Sequence, residues 1–213
     1  MYFFKIPAII EWLYPEATWH ADRAEKKIFL TFDDGPVPGV TDHILSVLSE
    51  HNVRATFFCV GENIVKHPET FQKILREGHA VGNHTYNHLN GWKVGEEAYI
   101  ENIQRCDEVI YDAGYTGQHR LFRPPYGKIK RKTLRGLTKR YKVIMWDVLS
   151  YDFSSRIDAG TSLAKSIQYT RNGSIIIFHD SMKAFTKNKL IISQYIRFFK
   201  DKKYEFSNIN ELF

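Results

Sequence analysis

The sequence predicts an α/β fold, a small and incomplete (β/α) barrel of about seven mainly parallel strands. Three observations point there. Short β-type runs alternate with longer amphipathic stretches along the chain. No Pro-, Gly- or Ser-rich linker and no internal repeat divides the 213 residues, a length that suits one domain. Polar residues able to do chemistry follow strand candidate after strand candidate. An open doubly wound sheet is the alternative architecture.

The strand candidates are 27–32, 55–60, 79–82, 121–123, 142–147, 174–178 and 204–207. Between them lie helix candidates at 41–51, 68–77, 96–113, 130–140, 158–171 and 187–200. The first carries Ile44, Leu45, Val47 and Leu48 at helical spacing. The second and third are followed by Gly78 and Gly114, residues suited to the position just past a helix C-terminus. The resulting division is an N-terminal docking segment at 1–26 and a catalytic domain at 27–213. The apolar start, Met1 to Ile10, is too short to span a membrane, and no small-residue cleavage site follows it. By sequence the address is cytoplasmic, with the cell envelope left open.

A hydrophobic content of 43% and a charged content of 25% are ordinary for a globular chain. The net charge of +6 is carried by Lys and Arg that read as scattered, with no basic run alternating with stacking aromatics. No nucleic acid partner is therefore expected. A solvated basic surface is the ordinary reading, and approach to an acidic polymer such as cell wall is the other. No Gly-rich phosphate loop follows a strand, so no nucleotide cofactor is expected, and no Gly-x-Ser-x-Gly nucleophile elbow is present. Cys59 and Cys106 lack the spacing of a thiolate metal site, and Cys59 reads as a small buried hydrophobe.

The chemistry concentrates in five segments, one of which carries Asp147 and Asp152 after the fifth strand candidate. His84 and His88 are four residues apart, which puts both imidazoles on one face of a helical turn. Together with a carboxylate they make a three-ligand set suited to zinc, cobalt, nickel or iron. Asp33 and Asp34 stand side by side at a strand end, where two carboxylates repel unless a cation or donors neutralise them. One suits the metal and the other a base. Gly35-Pro36 after them is ordinary turn chemistry, which leaves the second Asp unexplained. Arg123 brings a fixed cation, and the tandem Pro124-Pro125 make the Tyr126 N–H the next free backbone donor, placed for an oxyanion. His179 leaves the apolar run at 174–178 and suits a general acid. In a parallel barrel these strand ends share one rim. Trp92, Tyr126 and Trp146 are candidates to stack on sugar rings.

These segments resemble the motifs of the polysaccharide deacetylases, the NodB-homology family of carbohydrate esterases, from about Lys27 to the last strand. The run 31–35, Thr-Phe-Asp-Asp-Gly, is similar to the first motif; the resemblance implies Asp33 as catalytic base and Asp34 as metal ligand. The run 84–88, His-Thr-Tyr-Asn-His, is similar to the second and implies His84 and His88 as the other ligands. Arg123-Pro124-Pro125-Tyr126-Gly127 resembles the third, where the Arg positions the base and the Tyr N–H binds the oxyanion. Ile177-Phe178-His179 resembles the fifth, with Ile177 at the acetate-methyl pocket and His179 as acid.

The fourth motif departs. The family shows Asp-x-x-Asp-Trp, whereas Leu149 and Phe153 replace its ends here and only Asp152 matches. Asp152 is assigned to orient His179, with Asp147 as a competitor. The resemblance implies a distorted (β/α) barrel and a divalent metal, zinc first with cobalt or nickel as alternatives. The implied activity is removal of N-acetyl groups from N-acetylglucosamine-type units of a peptidoglycan or chitin-like glycan, by a monomer. O-acetyl xylan esterase, small-molecule amide hydrolase and weakly active glycan-binding module are the other readings.

Overall fold

In the computed structural model, which describes residues 2–213, eight strands form one sheet in which all strand pairings are parallel. They are β1 (Lys27–Asp33), β2 (Thr56–Cys59), β3 (Ala80–Asn83), β4 (Leu121–Phe122), β5 (Lys142–Val143), β6 (Val148–Leu149), β7 (Ile175–His179) and β8 (Glu205–Ser207). The order is β5-β4-β3-β2-β1-β7-β6. Phe29 pairs with β7 on one side and with β8 on the other, so β8 lies on the β2 side of β1. All seven expected strands are present, but the fifth, expected over 142–147, breaks after Val143, and strand pairing resumes only in β6, just past its expected end.

The split has a physical cause. β5 pairs with β4 and β6 with β7, so the chain between them crosses the open side of the barrel. There the N-terminal segment takes over the hydrogen bonding. The Thr18 N–H donates to the Val143 carbonyl (2.8 Å), and the Met145 N–H to the Thr18 carbonyl (2.7 Å). Farther along, the Ile6 N–H donates to the Asp147 carbonyl (3.0 Å) and the Leu149 N–H to the Phe4 carbonyl (2.9 Å). Polar backbone exposed in the gap is thereby satisfied.

The helices are α1 (Ala8–Leu13), α2 (Val40–Glu50), α3 (Gly61–Lys66), α4 (Pro68–Arg76), α5 (Glu96–Asp112), α6 (Arg131–Leu137), α7 (Ala159–Tyr169) and α8 (Met182–Asp201). Six of them fall on the expected stretches. The others, α1 and α3, have six residues each, too few to show a helical period. No helix among the described residues is long and apolar enough to cross a membrane. Cys59 and Cys106 are both buried and free.

Strand alternation decides which side chains reach the interior. On β1, Ile28, Leu30 and Phe32 pack in the large core with α2 and α8 residues such as Ile44, Leu48, Ile192 and Ile196. Their neighbours Phe29, Thr31 and Asp33 point into the barrel. On β7, Ile176 and Phe178 join that same core, while Ile175 and Ile177 join an inner cluster with Phe29, Phe58 and Trp146. His179 continues the inward series, and it shares a rung of the ladder with Asp33.

Candidate active site

Asp33 ends β1 on the inward face, and Arg123 follows β4. Their side chains meet at 2.6 Å between the guanidinium and Asp33 Oδ1. The Arg123 side chain is wholly buried, and each of its three nitrogens makes at least one hydrogen bond. It donates to Thr31 Oγ1 (2.8 Å) and to the carbonyls of Ile144 (3.2 Å) and Met145 (3.0 Å), and it lies 4.0 Å from the centre of the Phe58 ring. Burial pushes its pKa down, against the pull of Asp33. With Oδ1 committed to Arg123, Asp33 Oδ2 faces the cavity 3.9 Å from His84 Nε2.

Asp34, His84 and His88 bring one ligand atom each to within 4.8 Å of one another. Asp34 Oδ1 is 3.8 Å from His84 Nε2 and 3.1 Å from His88 Nε2. His84 Nδ1 is 2.8 Å from the Arg123 carbonyl, an acceptor only, so that nitrogen carries the proton and Nε2 keeps its lone pair. His88 Nδ1 is held 3.0 Å from the Tyr126 hydroxyl. Burial lowers the His84 pKa to about 4, which keeps its imidazole neutral. On Asp34 burial acts upward, but the His88 hydrogen bond and the charge of His179 outweigh it and hold the carboxyl below its usual range. Two imidazole nitrogens and an ionised carboxylate are the donors a divalent transition ion takes.

The helical turn expected at 84–88 does not form. Asn83 Oδ1 accepts from the Thr85 N–H (2.8 Å), Asn102 Oδ1 accepts from the Tyr86 and Asn87 amides (2.8 and 3.2 Å), and Thr85 Oγ1 accepts from Leu89 (2.8 Å). These side chains claim the amides a helix would have used. Thr85 and His88 adopt φ of 64° and 54°, so the two imidazoles converge through left-handed backbone rather than helical pitch. Asp34 (φ 87°) and Tyr126 (φ 62°) are left-handed as well. Strained backbone at four non-glycine positions around one cavity is typical of a functional site.

His179 leaves β7 with its Nδ1 2.8 Å from Asp152 Oδ1, while its backbone N–H donates to Asp152 Oδ2 (2.7 Å). Burial acts to lower its pKa, but Asp152, with help from Asp34 and Asp33, raises it to about 9. Asp147 is not its partner. That side chain sits at the start of β7, where it accepts from Arg23 (2.8 Å), Ser174 Oγ (2.9 Å) and the Ile175 amide (2.9 Å). Phe153 packs edge-on against the His179 ring at 4.8 Å.

Sequence reasoning missed Asn188 of α8, whose amide donates to Asp152 Oδ2 (3.0 Å) and to the His179 carbonyl (2.8 Å). It also gave no role to Asp180, whose carboxylate accepts from the Gly35 N–H (2.8 Å) and Thr41 Oγ1 (2.7 Å). Burial raises the Asp180 pKa to about 7. No spacing pattern signals either residue, because both act through tertiary packing.

Asp33, His179 and the ligand set line one cavity of about 560 Å³, together with Tyr126, Trp146, Leu149, Phe153, Ile177 and Met182, while Arg123 and Asp152 are buried behind the first two. Ile177 and Trp146 are nearly buried in its wall, and Tyr126 is exposed at its mouth. The Tyr126 N–H meets no acceptor among the described residues. Trp92 lies outside this cavity.

A half-open parallel barrel carries at its C-terminal rim a His/Asp set able to hold a metal, a guanidinium-paired carboxylate and a carboxylate-paired imidazole, the parts that metal-assisted hydrolysis uses. A polysaccharide deacetylase family model matches residues 20–143, and the chain belongs to that family, which is metal-dependent. It is 38% identical over 157 residues to a peptidoglycan-N-acetylglucosamine deacetylase of Bacillus cereus, covering 73% of this chain and 56% of that protein. It is 35% identical to a chitooligosaccharide deacetylase of Azorhizobium caulinodans, covering 73% and 74%. A crystal structure of the Bc1960 peptidoglycan N-acetylglucosamine deacetylase superposes with a TM-score of 0.89 at 31% identity, covering 98% of this chain and 97% of that one. The chain spans only 40–56% of the first curated relatives it matches.

Proposed function

We propose that the protein hydrolyses N-acetyl groups on N-acetylglucosamine-type units of a cell-envelope glycan, with peptidoglycan the leading substrate. The observation that carries this reading is the single cavity in which the Asp34–His84–His88 set is flanked by the Asp33–Arg123 and His179–Asp152 pairs. Family membership and the names of the relatives support it.

Asp34, His84 and His88 would hold a divalent ion, zinc first among the candidates, which would supply Lewis-acid polarisation of the acetyl carbonyl and lower the pKa of water there. The protein's own groups do the rest. Asp33 accepts the proton of that water through Oδ2, because Arg123 occupies Oδ1 and supplies the countercharge. The unpaired Tyr126 N–H donates to the tetrahedral oxyanion. His179, oriented by Asp152 and held protonated near neutral pH, gives its proton to the departing amine. The acetyl methyl packs against Ile177, and a sugar ring lies against Tyr126 and Trp146. Leu149 makes the cavity wall apolar where the family pattern has a carboxylate.

Acetate release by the metal-loaded protein tests this reading. N-acetylglucosamine oligomers should release acetate and leave free amines. Release from O-acetylated xylan oligomers alone would make it an esterase, and no release from either would overturn the hydrolase reading.

A further inference from the structure

A second groove, of about 300 Å³, adjoins the active-site cavity and shares Tyr126, Gly127 and Trp146 with it. It runs between the N-terminal segment, through Ile6 and Ile10, and the start of α6. Trp92 stands 55% exposed on its edge, with its indole N–H anchored to the Ile129 carbonyl at 3.0 Å. The walls are aromatic and aliphatic, and one flank is strongly cationic.

That flank carries a basic run of the sequence, residues 128–135. Between Ala113 and Trp146 the chain has no Asp or Glu. Lys128 Nζ lies 5.4 Å from the Trp92 ring centre and 6.0 Å from that of Tyr126. Lys130, Arg131, Lys132 and Arg135 are exposed beside it. Glu96 answers Lys132 and Glu16 answers Arg135, each at 2.8 Å. Lys128, Lys130 and Arg131 meet no carboxylate at ion-pair distance among the described residues. Clustered cations repel one another, and a polyanion laid across them relieves that repulsion.

We propose that this flank is an anion-binding exosite that selects glycan strands carrying carboxylates, engaging the strand beyond the unit held in the cavity. The proposal rests on the glycan-deacetylase reading. Aromatic faces take sugar rings, and the neighbouring cations take the negative groups between them. Continuity with the active site favours a glycan over a membrane surface, because Tyr126 lines both cavities and Lys128, at the start of the basic run, lines the second one beside it.

The test compares two tetrasaccharides of equal length, a neutral N-acetylglucosamine tetramer and one alternating N-acetylglucosamine with N-acetylmuramic acid, whose lactyl groups add carboxylates. At low salt the acidic tetramer should show a kcat/KM higher by roughly tenfold, mostly through KM. Raised ionic strength should erase the advantage, since exposed charges are screened. The K130E/R131E double variant should bring the ratio close to one at every salt concentration. A ratio already near one in the wild type, or one unmoved by charge reversal, overturns the exosite.

Binding measured without turnover in the Asp33→Asn variant separates the two levels of the argument. Tight, salt-sensitive binding of the acidic tetramer together with absent acetate release in the wild type refutes the enzyme reading and sustains the exosite. Equal binding of both tetramers, with salt-sensitive binding of phosphatidylglycerol vesicles, overturns the exosite in favour of a membrane-facing surface.

Discussion

Asp33 on β1 and His179 on β7 are partners on one rung of adjacent parallel strands, so both leave the sheet on the same face, side by side. Each then has a partner of opposite charge: Arg123 for the carboxylate and Asp152 for the imidazole. A candidate base and a candidate acid are thus set at one distance by backbone hydrogen bonding. Each is oriented by its own buried neighbour.

The imidazole half of that arrangement has a pH signature. In metal-free protein His179 should titrate near 9, and Asp152→Asn should lower that value toward the ordinary histidine range. NMR of the imidazole resonances reads both. Because the folded pKa lies above the unfolded one, the interaction's contribution to stability is fully present below about pH 6.5 and is lost as pH rises through about 9. Activity should fall along the same alkaline limb, and earlier in the Asp152→Asn variant. An unchanged limb in that variant would remove Asp152 from the acid's environment.

Arg123→Met should be strongly destabilising, by about 3–5 kcal/mol, because it strands Asp33 as a buried charge and leaves the Ile144 and Met145 carbonyls without their donor. Urea denaturation measures it. Arg123→Lys should recover part of that stability but little activity, since an ammonium cannot reproduce the planar fork.

Gly35 is fixed by a close approach. A Cβ added there would fall 1.7 Å from Asp180 Oδ2, on a carboxylate already pinned by the Gly35 amide and Thr41. Gly35→Ala should therefore cost about 1–3 kcal/mol and displace the neighbouring Asp34. Thermal unfolding and metal affinity should both fall. A variant as stable as wild type would show that Asp180 is free to move.

The fold was legible where periodicity is strong. β1 and β7, with apolar residues on both faces, and α2, with its apolar stripe, were placed within a residue or two. The strand at 142–147 was misread as continuous, because its hydrophobic run does not reveal that Thr18 and Ile6 supply the pairing across the gap. The residues of the ligand set were legible as an Asp-Asp pair and a His-x-x-x-His spacing. The geometry joining them was not, since Asn83 and Asn102 replace the expected helical turn with left-handed backbone. Choosing between Asp152 and Asp147 required the fold, because both are acids within a few residues of each other and only one emerges at the His179 end of β7.

The division of labour between the twin aspartates is the centre of the account, and metal content measured beside acetate release tests it most directly. Asp34→Ala and His88→Ala should each lose the bound ion and all activity. Asp33→Asn should retain the ion at wild-type stoichiometry while kcat falls by roughly 100-fold or more. Equal metal retention in all three variants, or acetate release by Asp33→Asn at the wild-type rate, would contradict the account.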